Sequence, residues 1–454
     1  MSKRHLALIG LALCGAPQAC SNAGLLSEDP AARVGATAQQ EGGSGGNGDA
    51  GASDQGGSAG AAGDGIGGAN EAGAGGGSAG SSGSGGTGSD SAGAAGSGAI
   101  ACPPDDGTAA ALTLAGLGLE LPLPSLASDA GVDGGADAGT ADDPPEFEGL
   151  ALPGLLGWAT QPALGTATTI GGAAGSVVTA DTAEELVDFA SRPEPLVIRI
   201  CGVLSTPELR VSSHKTLLGV GPDATLQGGI RVGGEVDYVR NVVIKNLRVN
   251  AATSSVEEEA VRVERAHHVW IDHCELFDSA GEGALDIVNG SDRVTVSWSK
   301  FLFTPNAPDL EHRFGVRVGD HNQEAAVQAE DAGLLNVTLH HIWWADVRQR
   351  APRVIFGKVH VFDSYYAPTT QLQEYSVRAS TEARVRLENN YFHQVTSPHE
   401  LNGDGAQLEA IGNIYDGATG VMQATGASFI PPYAHALDSA LGVPQQVMAG
   451  AGPR

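Results

Sequence analysis

The sequence has little positive charge. Its 454 residues include 25 Lys and Arg against 53 Asp and Glu, a formal net charge of −28. So few cations argue against a nucleic-acid partner. The five cysteines show no zinc-type spacing. No phosphate-binding glycine loop, Ser-His-Asp series or nucleophilic cysteine stands out, and no segment after residue 20 is long and apolar enough to span a membrane.

Residues 1–20 have the pattern of an export signal. Lys3 and Arg4 precede a short apolar stretch, which is followed by small residues of the kind found at a signal cleavage site. Cys20 follows Ala19 and could become the lipidated first residue of a bacterial lipoprotein; ordinary cleavage and release is the alternative. We therefore expect a protein that is secreted or anchored to the outer cell surface.

Glycine is concentrated in residues 21–153, in runs such as "EGGSGGNGDAGASDQGGSAG". Segments of this kind have too little apolar surface to offset the entropy lost on ordering. We predict a low-complexity disordered linker over 21–153, followed by one structured domain over 154–454.

The sequence pattern of this domain predicts one helix followed by an all-β fold. "TADTAEELVDFAS" predicts a helix with Thr182 as N-cap and Leu186, Phe189 and Ala190 on one face. Short β-branched runs then recur at steps of roughly 22–26 residues, with one longer interval. This period favours a solenoid, here a parallel β-helix whose N-terminal edge the helix caps. A β-sandwich is the competing fold, although it does not explain the likeness between distant segments.

Several motifs carry a family resemblance. "NVVIKNLRV", "VWIDHCEL", "ALDIVNGSDRVTVSW" and "RAPRVIFGKVHVFDSYY", in this order, resemble the pectate lyase/pectin lyase family of right-handed parallel β-helices. The resemblance runs from about Gly157 to near the end of the chain. It implies a monomeric enzyme that cleaves pectate (polygalacturonate), or a related acidic polysaccharide, by β-elimination with Ca²⁺ as cofactor.

The resemblance also implies a metal site formed by Glu257, Glu259, Glu282 and Asp286. "VEEEAVRV" puts the first two on one face of an extended segment, and "EGALDI" does the same for the other two. Calcium prefers several hard oxygen ligands. The family usually has Asp at the first two positions, and a run of glutamates is also typical of a solvated face.

The segment "DVRQRAPRVIFG" concentrates arginines in an acidic chain. The resemblance makes Arg350 the base that removes the substrate's C5 proton, with Pro352 holding the start of the strand and Arg353 binding substrate. A guanidinium is normally protonated, so this role requires burial and neighbouring positive charge, and we expect an alkaline optimum. The alternative is a strand-end arginine paired with a carboxylate such as Asp346.

Some family cations are missing. The last arginine of the family's RxPxxR signature falls on Ile355, and a common lysine falls on Val288. Arg313 is the nearest candidate for another catalytic cation and Arg317 the second, here assigned to substrate binding. A weaker cationic field predicts a slower or altered lyase, or a non-catalytic β-helix that binds acidic polysaccharide. A metal-independent pectin lyase is a further alternative.

The cysteines of the mature chain leave two interpretations open. Cys102, Cys201 and Cys274 remain outside the export region. Either Cys201 and Cys274 form a disulfide, or both are buried free thiols.

Overall fold

The structure, a computed structural model, describes residues 102–113, 149–234, 238–252, 259–279, 281, 283–320, 329–368 and 373–454. The predicted export signal with Cys20, and the predicted metal ligands Glu257 and Glu282, lie outside the described residues. Among the residues described, no helix combines the length and the apolar character needed to cross a bilayer.

Helix α1 spans Ala183–Ser191 and helix α2 spans Val443–Gly450; short 3-10 turns cover Ala110–Leu112, Trp158–Thr160 and Ala440–Gly442. The start of α1 is as predicted.

Thr182 accepts a hydrogen bond from the Glu185 amide, and the Glu185 side chain accepts one from the Thr182 amide, which completes a capping box. Leu186 and Ala190 are fully buried, and the helix packs against the first strands of the sheet.

The strands, in chain order, are β1 (Ser176–Ala180), β2 (Leu196–Val211), β3 (Lys215–Val232), β4 (Val239–Lys245), β5 (Arg248–Asn250), β6 (Val261–Glu264), β7 (Ala266–Asp272), β8 (Glu275–Phe277), β9 (Leu285–Val288), β10 (Asp292–Ser297), β11 (Lys300–Leu302), β12 (Val316–Val318), β13 (Asn336–His340), β14 (Trp343–Ala345), β15 (Arg353–Val354), β16 (Lys358–Phe362), β17 (Tyr365–Ala367), β18 (Val377–Ser380), β19 (Arg384–Glu388), β20 (Tyr391–His393), β21 (His399–Asn402), β22 (Gln407–Ile411) and β23 (Ile414–Asp416).

These strands stack in parallel into three faces. β4, β7, β10, β13, β16, β19 and β22 form the first face; β5, β8, β11, β14, β17, β20 and β23 the second; and β6, β9, β12, β15, β18 and β21 the third. The long strands β2 and β3 run along all three. A chain that returns to its own previous turn in this way is a parallel β-helix. The predicted fold is confirmed, and the β-sandwich alternative is wrong.

The core lies inside the coil. Ile244 pairs with Ile271 and Ile271 with Val296, so one apolar column runs up the first face. On the second face the rings of Phe301 and Trp344 stack with centroids 4.7 Å apart. Each turn therefore buries its apolar side chains mainly against those of its neighbours.

The disulfide differs from both interpretations of the sequence. Cys201 is bonded to Cys102, and Cys274 is a buried free thiol. Pairing requires Cα atoms within about 7 Å, and Cys102 and Cys201 are 5.4 Å apart.

The segment that carries Cys102, residues 102–113, lies within the predicted linker. It contributes Ala109 and Leu112 to an apolar cluster with Val197 and Leu218 of β2 and β3. Apolar packing and the disulfide thus attach part of this stretch to the β-helix.

Candidate functional site

A row of charged residues runs along the third face. Their strands pair in register, and the intervening Val263, Ile287, Val318 and Val354 are buried in the core, so alternation turns the charged side chains outward. We call this row the charged column; in order its members are Arg231, Arg262, Asp286, Arg317, Arg353, Arg378 and Glu400. Neighbouring strands lie about 4.8 Å apart, which sets the spacing of these charges.

Glu259 and Asp286 form an acid pair beside this column. Glu259 is 5% exposed and Asp286 is fully buried. Burial, followed by the charge of Asp286 and a hydrogen bond to it, raises the pKa of Glu259 to about 7. Oδ1 of Asp286 is buried and receives no hydrogen bond from the described residues. Negative charge is therefore crowded at this point.

Arg262 lies against both members of the acid pair. Its NH1 is 3.4 Å from an oxygen of Glu259 and 3.4 Å from Oδ2 of Asp286. Its Nε donates to Glu264 at 2.8 Å. Burial alone would disfavour the charge, but the hydrogen bond to Glu264 and the charges of Glu259 and Asp286 outweigh it and raise the pKa of Arg262.

Arg317 approaches the acid pair from the next strand. Its Nε donates to Oδ2 of Asp286 at 2.9 Å, and its NH2 contacts the same oxygen. The distance from NH2 to Glu259 is 3.8 Å. Burial opposes the charge, yet the carboxylate of Asp286 raises the pKa of Arg317. The structure thus brings together three predicted site residues, Glu259, Asp286 and Arg317.

The predicted base lies just before β15. The Arg350 guanidinium stacks over the Phe314 ring, 4.1 Å from its centroid, and the residue is 8% exposed. The Arg350 carbonyl accepts a hydrogen bond from the Val316 amide of β12. Arg353 follows in the charged column beside Arg317. Arg348 instead turns outward to Glu374 and Glu311.

Arg313 and Pro352 support the backbone around this segment. Arg313 is 3% exposed, its Nε donates to the Leu310 carbonyl at 3.1 Å, and its own carbonyl accepts from the Arg348 amide. Pro352 is buried, and its carbonyl accepts from the Arg378 amide at 2.9 Å.

The two apolar replacements are both shielded from solvent. Ile355 is 4% exposed and Val288 is fully buried. Val288 lies beside Glu264 on the neighbouring strand. Neither position contributes positive charge to the third face.

A model of the pectate lyase family matches residues 127–430, more than half of the chain. The chain belongs to the pectate lyase family. A pectate trisaccharide-lyase from Thermotoga maritima is 34% identical over 209 residues, which cover 44% of this chain and 53% of the relative. Pectate lyase plyB from Emericella nidulans is 30% identical over 250 residues, 52% of this chain and 68% of that protein. The match thus spans about half the length of the Thermotoga relative.

Solved pectate lyases have the same fold. One from Bacillus sp. N165, in complex with trigalacturonate, aligns with a TM-score of 0.54 and 23% identity over 66% of this chain and 99% of its own. One from Acidovorax avenae subsp. citrulli aligns with a TM-score of 0.54 and 16% identity over 74% and 99%. At these identities the likeness supports the fold alone.

Sequence reasoning missed two cations of the charged column. Arg262 lies in the acid cluster, and Arg378 stacks over Tyr375, 3.7 Å from the ring centroid, while contacting Glu400. An alignment of the repeats would have shown both residues at the same outward position as Asp286. Charged residues at such positions usually indicate only a solvated face, which is why the signal was weak.

The acid pair has the ligand chemistry that a hard divalent cation prefers. Its donors are carboxylate oxygens, one of them the buried Oδ1 of Asp286 that receives no donor from the described residues. The other two predicted ligands belong to the undescribed part of the chain. The donor type fits calcium, although two guanidiniums already share the charge of the pair.

Another cluster of potential metal ligands lies on the first face, away from the charged column. Nε2 of His360 and Nε2 of His435 are 3.1 and 3.0 Å from the same oxygen of Glu388. The Tyr433 hydroxyl is 3.0 Å from Nδ1 of His360, and Arg386 also contacts Glu388. Hydrogen bonds between these side chains account for their close approach. They attach the C-terminal segment to the sheet.

Proposed function

We propose that this chain is an exported, calcium-dependent pectate lyase that cleaves polygalacturonate by β-elimination. The observation that carries the proposal is the register that puts Asp286, Arg317 and Arg353 on three successive strands of one face. It aligns an acid and two cations in one row, in a member of the pectate lyase family.

In this reaction a base takes the C5 proton of a uronate residue. The electron pair of the C5–H bond forms a C4–C5 double bond, the C4–O bond breaks, and the leaving oxygen is protonated by solvent. We assign the base to Arg350, whose guanidinium is held against the Phe314 ring. The arginine side chain can accept a proton only as the neutral guanidine, so activity should rise toward alkaline pH.

The remaining site residues bind and orient the substrate. Arg317 and Arg353 would contact uronate carboxylates, since guanidinium groups match carboxylate geometry. Pro352 would support the start of β15. Arg313 would add positive charge near the reacting sugar.

A cation would be held by the acid pair together with Glu257 and Glu282. When bound, it would neutralise the substrate carboxylate and so favour charge build-up at C5.

The test is the formation of unsaturated product, measured by ultraviolet absorbance on polygalacturonate. Arg350→Ala should abolish the signal. Arg348→Ala should keep most of it, because Arg348 lies in the same segment as Arg350 but pairs with the exposed carboxylates of Glu311 and Glu374. A chelator should stop the reaction and added calcium restore it. Activity that survives in Arg350→Ala would reject the assigned base, and activity that survives chelation would reject the calcium requirement.

A second candidate is a non-catalytic β-helix that binds acidic polysaccharide at the cell surface. The burial of Ile355 and Val288, where the family has cations, favours it. Binding of polygalacturonate without any product, at alkaline pH and with calcium present, would select this candidate. Retention of the acid pair argues against the metal-independent pectin lyase.

Export rests on residues 1–20 alone. Mass analysis of the mature N-terminus would distinguish a lipid-modified Cys20 from simple cleavage.

A further inference from the structure

The two carboxylates of the acid pair are already matched by two guanidiniums. Arg262 reaches Glu259 and Asp286 at 3.4 Å each, and Arg317 donates to Asp286 at 2.9 Å. All four side chains are largely buried, with 19% exposure for the Arg262 side chain as the largest value. In a buried site such charges interact strongly, because little water screens them.

The backbone fixes these guanidiniums beside the acids. Arg262 and Arg317 lie on the strands on either side of Asp286, and each is in register with it. The backbone of neither residue can shift without breaking the parallel ladder. A divalent cation that enters between Glu259 and Asp286 therefore meets two positive groups within a few ångströms.

The side chains nevertheless have other carboxylates within reach. Nε of Arg262 donates to Glu264 at 2.8 Å, and NH1 of Arg317 is 4.0 Å from Asp320. A guanidinium that leaves the acid pair can keep one of these partners. Entry of a cation is then an exchange of counterions in which the backbone stays in place.

We propose that Arg262 and Arg317 are built-in counterions of the acid pair that set its affinity for divalent cations low. The inference rests on the proposed function, since it concerns the cation site of that lyase. It assigns to these two residues a role in metal affinity, in addition to any contact that Arg317 makes with substrate.

The experiment is calorimetric titration of Ca²⁺ into the full chain, without substrate. Arg262→Gln should bind Ca²⁺ at least about tenfold more tightly than wild type. The reason is that one neighbouring charge shifts the ionisation equilibrium of a carboxylate by about one to three powers of ten, and we expect a comparable effect on cation binding. Arg262→Lys keeps the charge and should stay close to wild type. Arg248→Gln is the matched control, because Arg248 pairs with Glu275 on another face.

Arg317→Gln should act in the same direction, and Ca²⁺ should raise its melting temperature more than that of wild type. If this variant does not fold, Arg262→Gln alone decides, because there Arg317 still neutralises Asp286. Affinity within twofold of wild type in Arg262→Gln overturns the proposal, and so does undetectable binding in both proteins.

The lyase assay on wild type keeps the two proposals apart. Product formation together with unchanged affinity in Arg262→Gln rejects only the counterion role. Tighter calcium binding in that variant, with no product from wild type, rejects only the lyase activity.

Discussion

Arg353 lies directly beside Arg317 on neighbouring parallel strands, so two guanidinium side chains occupy adjacent places in the charged column. Like charges side by side destabilise a sheet. Burial, with the positive charges of Arg350, Arg378 and Arg317, lowers the pKa of Arg353. Nε of Arg353 is buried and has no hydrogen-bond acceptor among the described residues. An anion bound against this pair would relieve the repulsion.

Arg353→Gln should therefore separate stability from activity. We expect a free energy of unfolding equal to wild type or slightly higher, since a like-charge contact is removed. We expect kcat/KM on polygalacturonate to fall about 10- to 100-fold. This range corresponds to the loss of one hydrogen bond to a charged group, which contributes about 1.5–3 kcal/mol. Arg384→Gln, at an exposed position on β19, is the control. A large loss of stability with unchanged kinetics would contradict the assignment.

Asp286→Asn should strongly destabilise the protein. Asp286 is fully buried and contacts both Arg262 and Arg317, so its loss leaves two partly desolvated cations. Breaking a buried ion pair from one side costs about 3–5 kcal/mol. Urea denaturation measures the change.

The comparison variant is Asp188→Asn, which removes an exposed ion pair with Arg192. It should lose no more than about 1 kcal/mol. Equal losses in the two variants would mean that the acid cluster has no special role in stability.

The protein should lose stability as the pH falls below about 6.5, the usual histidine pKa. Burial, aided by neighbouring cations, lowers the pKa of His214, His267 and His268 to about 3 each. Burial also lowers the pKa of His360 to about 4. Below pH 6.5 the unfolded chain binds protons at these residues while the folded chain does not. Each histidine then lowers the free energy of unfolding by up to about 1.4 kcal/mol for each pH unit below 6.5.

Denaturation at several pH values between 4.5 and 7 checks the slope before most carboxylates titrate. His214→Gln should reduce the slope of the unfolding free energy against pH by the contribution of about one bound proton. A slope that is flat over this range in wild type would refute the effect of the buried histidines.

Loss of the disulfide should cost about 2–5 kcal/mol, because it closes a loop with a sequence separation of 99 residues. Cys102→Ser, Cys201→Ser and the double variant should all lose the same amount, since each breaks the same bond. Cys274→Ala keeps the disulfide and serves as the control. Peptide mapping without reductant should recover Cys102 linked to Cys201; recovery of Cys201 linked to Cys274 would disprove this pairing.

Much of the fold could be predicted because a solenoid repeats its signal. The spacing of the β-branched runs corresponds to the register, as when Val359 pairs with Val385. Helix α1 was predictable because its capping box is local. The Cys102–Cys201 bond was not, because it depends on a segment that docks from far along the chain.

The site was predictable only in part. The proximity of Glu259 to Asp286 follows from stacking two neighbouring turns, and the structure shows it through their common contacts with Arg262. The presence of Arg262 inside this cluster did not follow, because an outward-facing arginine commonly faces solvent. The role of Arg350 stays a prediction, since it depends on a bound substrate.

The bond between Cys102 and Cys201 also determines how tension would travel through the molecule. A pull on the chain before Cys102 would pass through the sulfur atoms directly into β2. The residues between the two cysteines, including α1, would be bypassed and carry none of that load. Drag on the preceding chain would thus be borne by the hydrogen-bonded body of the solenoid, and its end cap would be spared.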